Sequence, residues 1–134
     1  MKKYTAKELV AEGYSLDNAL IKNVSLSYGD YCSLTLNVTL DGDGWGCVYG
    51  GYCLGKIYPD SYDKESYEGS AAGMEVIMRI MDVVGVSRLE DMKGKYVRVA
   101  TKEWGDSVKI IGNIIKDRWF DYGTFFADKK EEST

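Results

Sequence analysis

The stretch GDGWGCVYGGYCLGK, residues 42–56, decides how this chain folds. It carries six of the fifteen glycines, two of the three cysteines, Trp45, Tyr49 and Tyr52. Glycine weakens a regular strand but permits bulges and close backbone approach, whereas Trp, Tyr and Val favour a pleated sheet. Trp45 to Leu54 therefore reads as a central strand, apolar on both faces and bulged near Gly46, Gly50 and Gly51. Its glycines are expected to leave a groove floored by backbone and walled by Trp45, Tyr49 and Tyr52.

Upstream, residues 32–40 alternate cleanly. Cys32, Leu34, Leu36, Val38 and Leu40 share one face; Ser33, Thr35, Asn37 and Thr39 share the other. That is the pattern of an antiparallel strand with one wet face. Ala19 to Tyr28 forms the preceding strand, joined to it through a Gly29-Asp30 turn as a hairpin. Before these, Thr5 and Glu8 form a capping box and Gly13 a stop, which predicts a short helix over about residues 6–12.

Downstream, Ile57 to Gly69 contains the only proline and three tyrosines and reads as a loop. Ser70 to Val84 is the main helix, with Met74, Ile77, Met78, Met81 and Val84 on one face, widened by Val76, Ile80 and Val83. Gly85 caps it. Ser87 and Glu90 form a second capping box, opening a single turn that Gly94 ends. Tyr96–Thr101 and Val108–Ile115 read as the fourth and fifth strands, separated by a turn at Trp104-Gly-Asp106. WFDYGTFF, residues 119–126, is an aromatic segment that closes over the core. The expected fold is α+β: an antiparallel sheet of about five strands, one main helix packed on it and a short N-terminal helix. Residues 1–134 form one domain, with about 1–4 and 127–134 frayed.

Composition narrows the function. Formal net charge is −4, with 21 acidic and 17 basic residues and no histidine. The acidity is concentrated in residues 41–68, where six acids face two lysines. Phosphate binding demands cations, so direct nucleic-acid binding is not expected. Without histidine there is no usual neutral-pH general base and no Ser-His or Cys-His nucleophile, and the chain is expected not to be an enzyme. Residues 50–56 have the glycine and lysine spacing of a P-loop, but Ile57 stands where Ser or Thr should bind magnesium, and Pro59 opposes the helix. Asp41 to Gly44 opens like an EF-hand, but Trp45 and Tyr52 fall where oxygen ligands are required. Cys47 and Cys53 are six apart and would share a face of a regular strand. With Cys32 they form a weak alternative zinc site, lacking a fourth ligand. No metal and no cofactor are expected. No secretory segment or membrane-spanning run is read, which with three free cysteines points to the cytoplasm.

Three stretches together resemble a family of small proteins encoded in phages and prophages of Gram-positive bacteria. They are GDGWGCVYGGYCLG at 42–55, GMEVIMRIMDVVGVSRLEDMKGKYVRV at 73–99 and IGNIIKDRWFDYGTFF at 111–126. The resemblance covers roughly residues 20–126 and implies an accessory protein working in the bacterial host cytoplasm. By analogy with such proteins, it implies an inhibitor of a host defence nuclease, an anti-CRISPR protein. The partner would be a CRISPR nuclease complex whose nucleic-acid channel is blocked. The expected binding residues are Asp41, Asp43, Trp45, Tyr49, Tyr52, Tyr58, Asp60, Tyr62, Asp63, Glu65, Tyr67 and Glu68: carboxylates that replace phosphates and aromatics that anchor. The alternative is a nucleic-acid-binding accessory protein of phage replication or recombination, stacking bases on Tyr49, Tyr52, Trp104 and Trp119.

Overall fold

The computed structural model describes residues 3–29, 33–59 and 65–132. The fold is α+β. Its sheet is antiparallel and has seven strands rather than five. The strands are β1 (Ser15–Tyr28), β2 (Ser33–Asp41), β3 (Gly46–Pro59), β4 (Glu65–Gly69), β5 (Tyr96–Thr101), β6 (Ile110–Asn113) and β7 (Trp119–Asp121), in the spatial order β4-β3-β2-β1-β5-β6-β7. The helices are α1 (Ala6–Ala11), α2 (Ala71–Val84) and α3 (Tyr122–Glu132), and Leu89–Met92 make one turn of 3-10 helix.

Two strands beyond the expected five account for the difference. The described residues within 57–69 are not a loop: β3 runs on to Pro59, and Glu65–Gly69 returns beside it as an edge strand, with Ile57 opposite Tyr67 and Lys56 opposite Glu68, while residues 60–64 lie outside the described residues. Proline is tolerated at a strand end, so Pro59 marks where pairing stops. The aromatic segment splits at Asp121. Residues 119–121 pair with β6, and the chain then turns into α3, which continues through the charged residues to Glu132. Asp121 starts that helix by accepting from the backbone N–H of Thr124 (3.2 Å) and from its hydroxyl (2.7 Å), as an N-cap does. β3 is not central either; β1 is, and β3 lies one strand in from the edge.

The decisive irregularity is in β3. Asn37 pairs with Gly50 but Thr35 pairs with Cys53, three residue steps on β3 against two on β2. The extra residue is accommodated at Gly50 and Gly51, at φ +115° and +80°. A Cβ on Gly50 would stand 2.3 Å from the Leu36 carbonyl oxygen. The bulge reverses the facing of the residues that follow it, up to a second register shift between Cys53 and Gly55. Tyr49 and Tyr52, three apart, both point to the same side and both pack on Tyr122 of α3, at ring-centroid distances of 5.0 and 5.7 Å.

The main core lies between the sheet and helices α2 and α3. Ile21, Leu36, Val38, Leu40, Tyr49, Val97, Val99, Ile111 and Phe120 from the strands meet Val76, Ile80 and Val83 of α2 and Phe125 of α3. The azimuth of α2 differs from the expected one. Val76, Ile80 and Val83 face the sheet, while Met74 and Met78 are 59% and 63% exposed. Apolar residues occupy too much of this helix for periodicity to select a side. The close contact is at Gly73, where a Cβ would stand 3.0 Å from Leu54 Cα, so glycine lets α2 lie this close to β3 without displacing Leu54. Ser70 caps α2 by accepting from Gly73 N–H, and Gly85 ends it in the left-handed conformation.

Across the sheet, α1 covers a smaller cluster of Leu9, Ala100 and Ile110, with Tyr4, Tyr14, Leu16 and Trp119 around it. Thr5 caps α1 as expected. Asp117 ties it down, accepting from Trp119 Nε1–H and from Ala6 N–H, both at 2.7 Å. These two bonds hold its carboxyl below the usual range. The expected capping box at residues 87–90 does not form. Arg88 stands at the N-cap of the 3-10 turn without a side-chain cap and pairs with Glu90 at 2.9 Å. The fifth strand is shorter than 108–115: it ends at Asn113, and Ile115 is 86% exposed.

Because the bulge depends on a residue without a side chain at φ +115°, Gly50→Ala should cost at least about 2 kcal/mol of stability. Gly69→Ala, at an open position of ordinary φ, should stay within about 0.5 kcal/mol of the parent. Urea midpoints of the two variants decide the matter, and equal midpoints would contradict the bulge.

Candidate functional site

The bulge divides the expected binding stretch between the core and two separate ends of the sheet. Tyr49 is fully buried, with its hydroxyl donating to the Lys109 carbonyl at 3.5 Å, so it is a core residue and not a contact for a partner. Burial among Tyr52, Tyr122 and Asp121 raises its pKa well above the ordinary value. Tyr52 is half-buried against Tyr122 and Phe126, and burial raises its pKa as well. Its hydroxyl has no hydrogen-bond partner among the described residues. The groove expected between Trp45, Tyr49 and Tyr52 does not exist, because α3 fills it.

From Gly46 to Lys56, β3 covers roughly 30 Å. Asp41, Asp43 and Trp45 sit at one end of that span; Tyr67 and Glu68, on β4, sit at the other. Tyr58 and Glu65 belong to β3 and β4, but their side chains lie outside the described residues, as do Asp60, Tyr62 and Asp63. The register separates even the first three. Asp41 lies opposite Gly46 and 4.0 Å from Lys22, whereas Trp45 packs toward the core. Trp45 folds back over its own turn, so close that a Cβ on Gly42 would stand 2.0 Å from the indole. Gly42 N–H donates to the Trp45 carbonyl at 2.8 Å and closes the turn.

What the turn builds at this end is a cleft of about 330 Å³. Its walls come from three places in the chain: Trp45 of the β2–β3 turn with Gly46 and Cys47 at the start of β3, Asp17 from β1 opposite Val99 of β5, and Glu103 to Asp106 from the β5–β6 turn. That turn is held by Glu103 N–H donating to Asp106 Oδ2 at 2.8 Å and by Asp106 N–H donating to the Glu103 carbonyl at 3.1 Å. Gly105, at φ +91°, supplies the conformation a tight turn needs and leaves Trp104 at the tip, 91% exposed. Among the described residues the lining contains three carboxylates, two indoles and no lysine or arginine. Lys102, beside it in sequence, turns to the other face of the sheet and lies 5.0 Å over the Tyr14 ring.

The opposite end carries a more apolar groove of about 440 Å³, lined by Leu26, Tyr28, Leu34, Leu54, Tyr67 and Met74 among others. Met74 and Tyr67, 69% exposed, form its open side. Two expected binding residues, Tyr67 and Glu68, line it.

The stacking surface of the alternative reading is also dispersed. Tyr49 and Tyr52 face the core, and Trp119 lies under Arg98, whose guanidinium carbon is 4.6 Å from the ring centroid. Trp104 alone of the four is open. Cys47 and Cys53 do not converge. Before the bulge Cys47 points toward the core, where burial pushes its thiol pKa up, and after it Cys53 is left exposed on the other face. Cys32 lies outside the described residues. Among the described residues no group of three His, Cys, Asp or Glu side chains could hold a metal ion, and no helix is long and apolar enough to cross a membrane.

Sequence reasoning missed Asp17, Glu103 and Asp106. They are far from residues 42–56 in the chain, and only the pairing of β1 with β5 and β2 with β3 unites them. A brief exposure to iodoacetamide at pH 8, read by peptide mass spectrometry, should label Cys53 at least about tenfold faster than Cys47. Equal rates would contradict the opposite facing of the two thiols. Compared with protein-family models, with curated proteins and with solved structures, the chain matches none.

Proposed function

We propose that this protein is a phage-encoded, non-enzymatic inhibitor of a host defence nuclease, an anti-CRISPR protein working in the bacterial cytoplasm. In this reading it binds a basic nucleic-acid channel of the effector and blocks access to it. The observation that carries it is the cleft at the β2–β3 turn, which Asp17, Glu103 and Asp106 line with two indoles and, among the described residues, no lysine or arginine; Asp106 also borders the neighbouring cleft that holds Lys102 and Lys109. Carboxylates placed there compete for the arginines and lysines that would otherwise hold phosphate. The exposed Trp104 supplies the type of rigid aromatic anchor that dominates protein interfaces. The origin and the defence setting rest on the resemblance of residues 42–55, 73–99 and 111–126 to the phage and prophage family. The accessory nucleic-acid reading is weaker, since three of its four stacking residues are occupied within the fold.

The test is capture of a partner from lysate of a bacterium carrying such a defence system. Tagged protein should retain a CRISPR effector after nuclease treatment and lose it progressively as salt rises. Asp17→Lys with Glu103→Lys should weaken capture about tenfold or more, since both side chains are exposed and the fold does not depend on them. Full capture by that double variant would remove the cleft from the account. If instead Asp60→Lys, Asp63→Lys and Glu65→Lys alone abolished capture, the binding surface would be the β3–β4 hairpin.

A further inference from the structure

We infer that the cleft between Trp45 and Trp104 is a receptor for one arginine side chain of the partner. This inference rests on the partner reading above and assigns the ligand of the same site. The chemistry of the cleft changes along its depth. Its floor is apolar, formed by Val99 and Val108, both nearly fully buried. Its walls are indoles, and its rim carries the carboxylates of Asp17, Glu103 and Asp106. A ligand that satisfies all three layers has an aliphatic stem, a flat cationic head and several donors around that head. Long cationic side chains bury their methylenes on apolar surface and keep their charge at the edge.

Arginine fits better than lysine for two reasons. A guanidinium is planar and weakly hydrated, so it stacks on an indole at lower desolvation cost than a compact ammonium. It also presents donors on separate edges, which suits carboxylates arriving from different elements: Asp17 from β1, Glu103 and Asp106 from the β5–β6 turn. The volume, about 330 Å³, is at the small end of the roughly 300–1,000 Å³ range of ligand pockets, the scale of one side chain rather than a helix. Trp104 also gives the site its probe, because an indole at a turn tip can be removed without touching the core.

The experiment is a titration of the full ¹⁵N-labelled chain with the capped tripeptide Gly-Arg-Gly, followed through the three tryptophan indole N–H cross-peaks. Matched titrations use Gly-Lys-Gly and the neutral isostere Gly-citrulline-Gly. The arginine peptide should shift the Trp45 and Trp104 peaks saturably and leave Trp119 in place. Citrulline should bind at least about fivefold more weakly, and Trp104→Ala should weaken the arginine peptide by about the same factor. Equal binding of citrulline would overturn the inference, as would shifts confined to Trp119 or no shift at all. Lysine binding as tightly as arginine would overturn the assignment to arginine. A silent cleft, together with partner capture still lost in the Asp17→Lys, Glu103→Lys protein, would remove this inference alone. Arginine binding with capture unaffected would instead remove the partner reading from the cleft.

Discussion

The constraint on which the structure depends is the approach of the Leu36 carbonyl to Gly50. No side chain fits between them, and the glycine's positive φ lets β3 take up one residue more than β2 between Asn37 and Thr35. A single extra residue exchanges the two faces of a strand. Before it, Trp45, Cys47 and Tyr49 point toward the core; after it, Tyr52 does so and Cys53 does not. Two tyrosines that a regular strand would place on opposite sides become a paired platform. Tyr122 and Phe126 of α3 rest on that platform. The charged C-terminal residues follow an aromatic first turn, and that contact, with the Asp121 cap, anchors the helix.

The same bulge decides what remains for function. Residues 41–68 look in the sequence like one acidic, aromatic surface. Once Tyr49 and Tyr52 are committed to α3, the remaining members stand at the two ends of a long strand. The end at the β2–β3 turn gains what the sequence does not place near it: Asp17, Glu103, Trp104 and Asp106, delivered by the pairing of β1 with β5 and by a tight turn. Charge is thereby gathered beside exposed aromatic surface. Acidic groups spread along a strand would be screened by salt and carry little specificity. Acids beside an indole and over an apolar floor discriminate by shape as well as sign.

Much of the fold was legible from local patterns. The alternation over 33–40, the strand at 96–101, the capped helix at 71–84 and the Thr5 cap all follow from side-chain period and capping chemistry, which are properties of neighbours in the chain. The failures have a common cause. α2 is apolar on too many sides for periodicity to choose its buried face, and the close approach of Gly73 to Leu54 is a contact between distant parts of the chain. β4 reads as a loop because Glu65–Gly69 has no apolar alternation. Its pairing to β3 supplies the order that its composition does not suggest. The start of α3 did have a local signal, Asp121 followed three residues later by Thr124, masked by the aromatic run around it. The cleft had none, because every one of its long-range contacts depends on sheet order.

The bulge sends Tyr49 and Tyr52 inward together and so leaves Trp45 and Trp104 as the aromatic side of the proposed binding surface. The most direct measurement is the set of nuclear Overhauser contacts between tyrosine ring protons in the free protein. The account predicts contacts from both Tyr49 and Tyr52 to Tyr122, and from Tyr52 to Phe126. Contacts to Tyr122 from Tyr49 alone, with the Tyr52 ring open to solvent, would contradict it and would restore a continuous acidic aromatic face along β3.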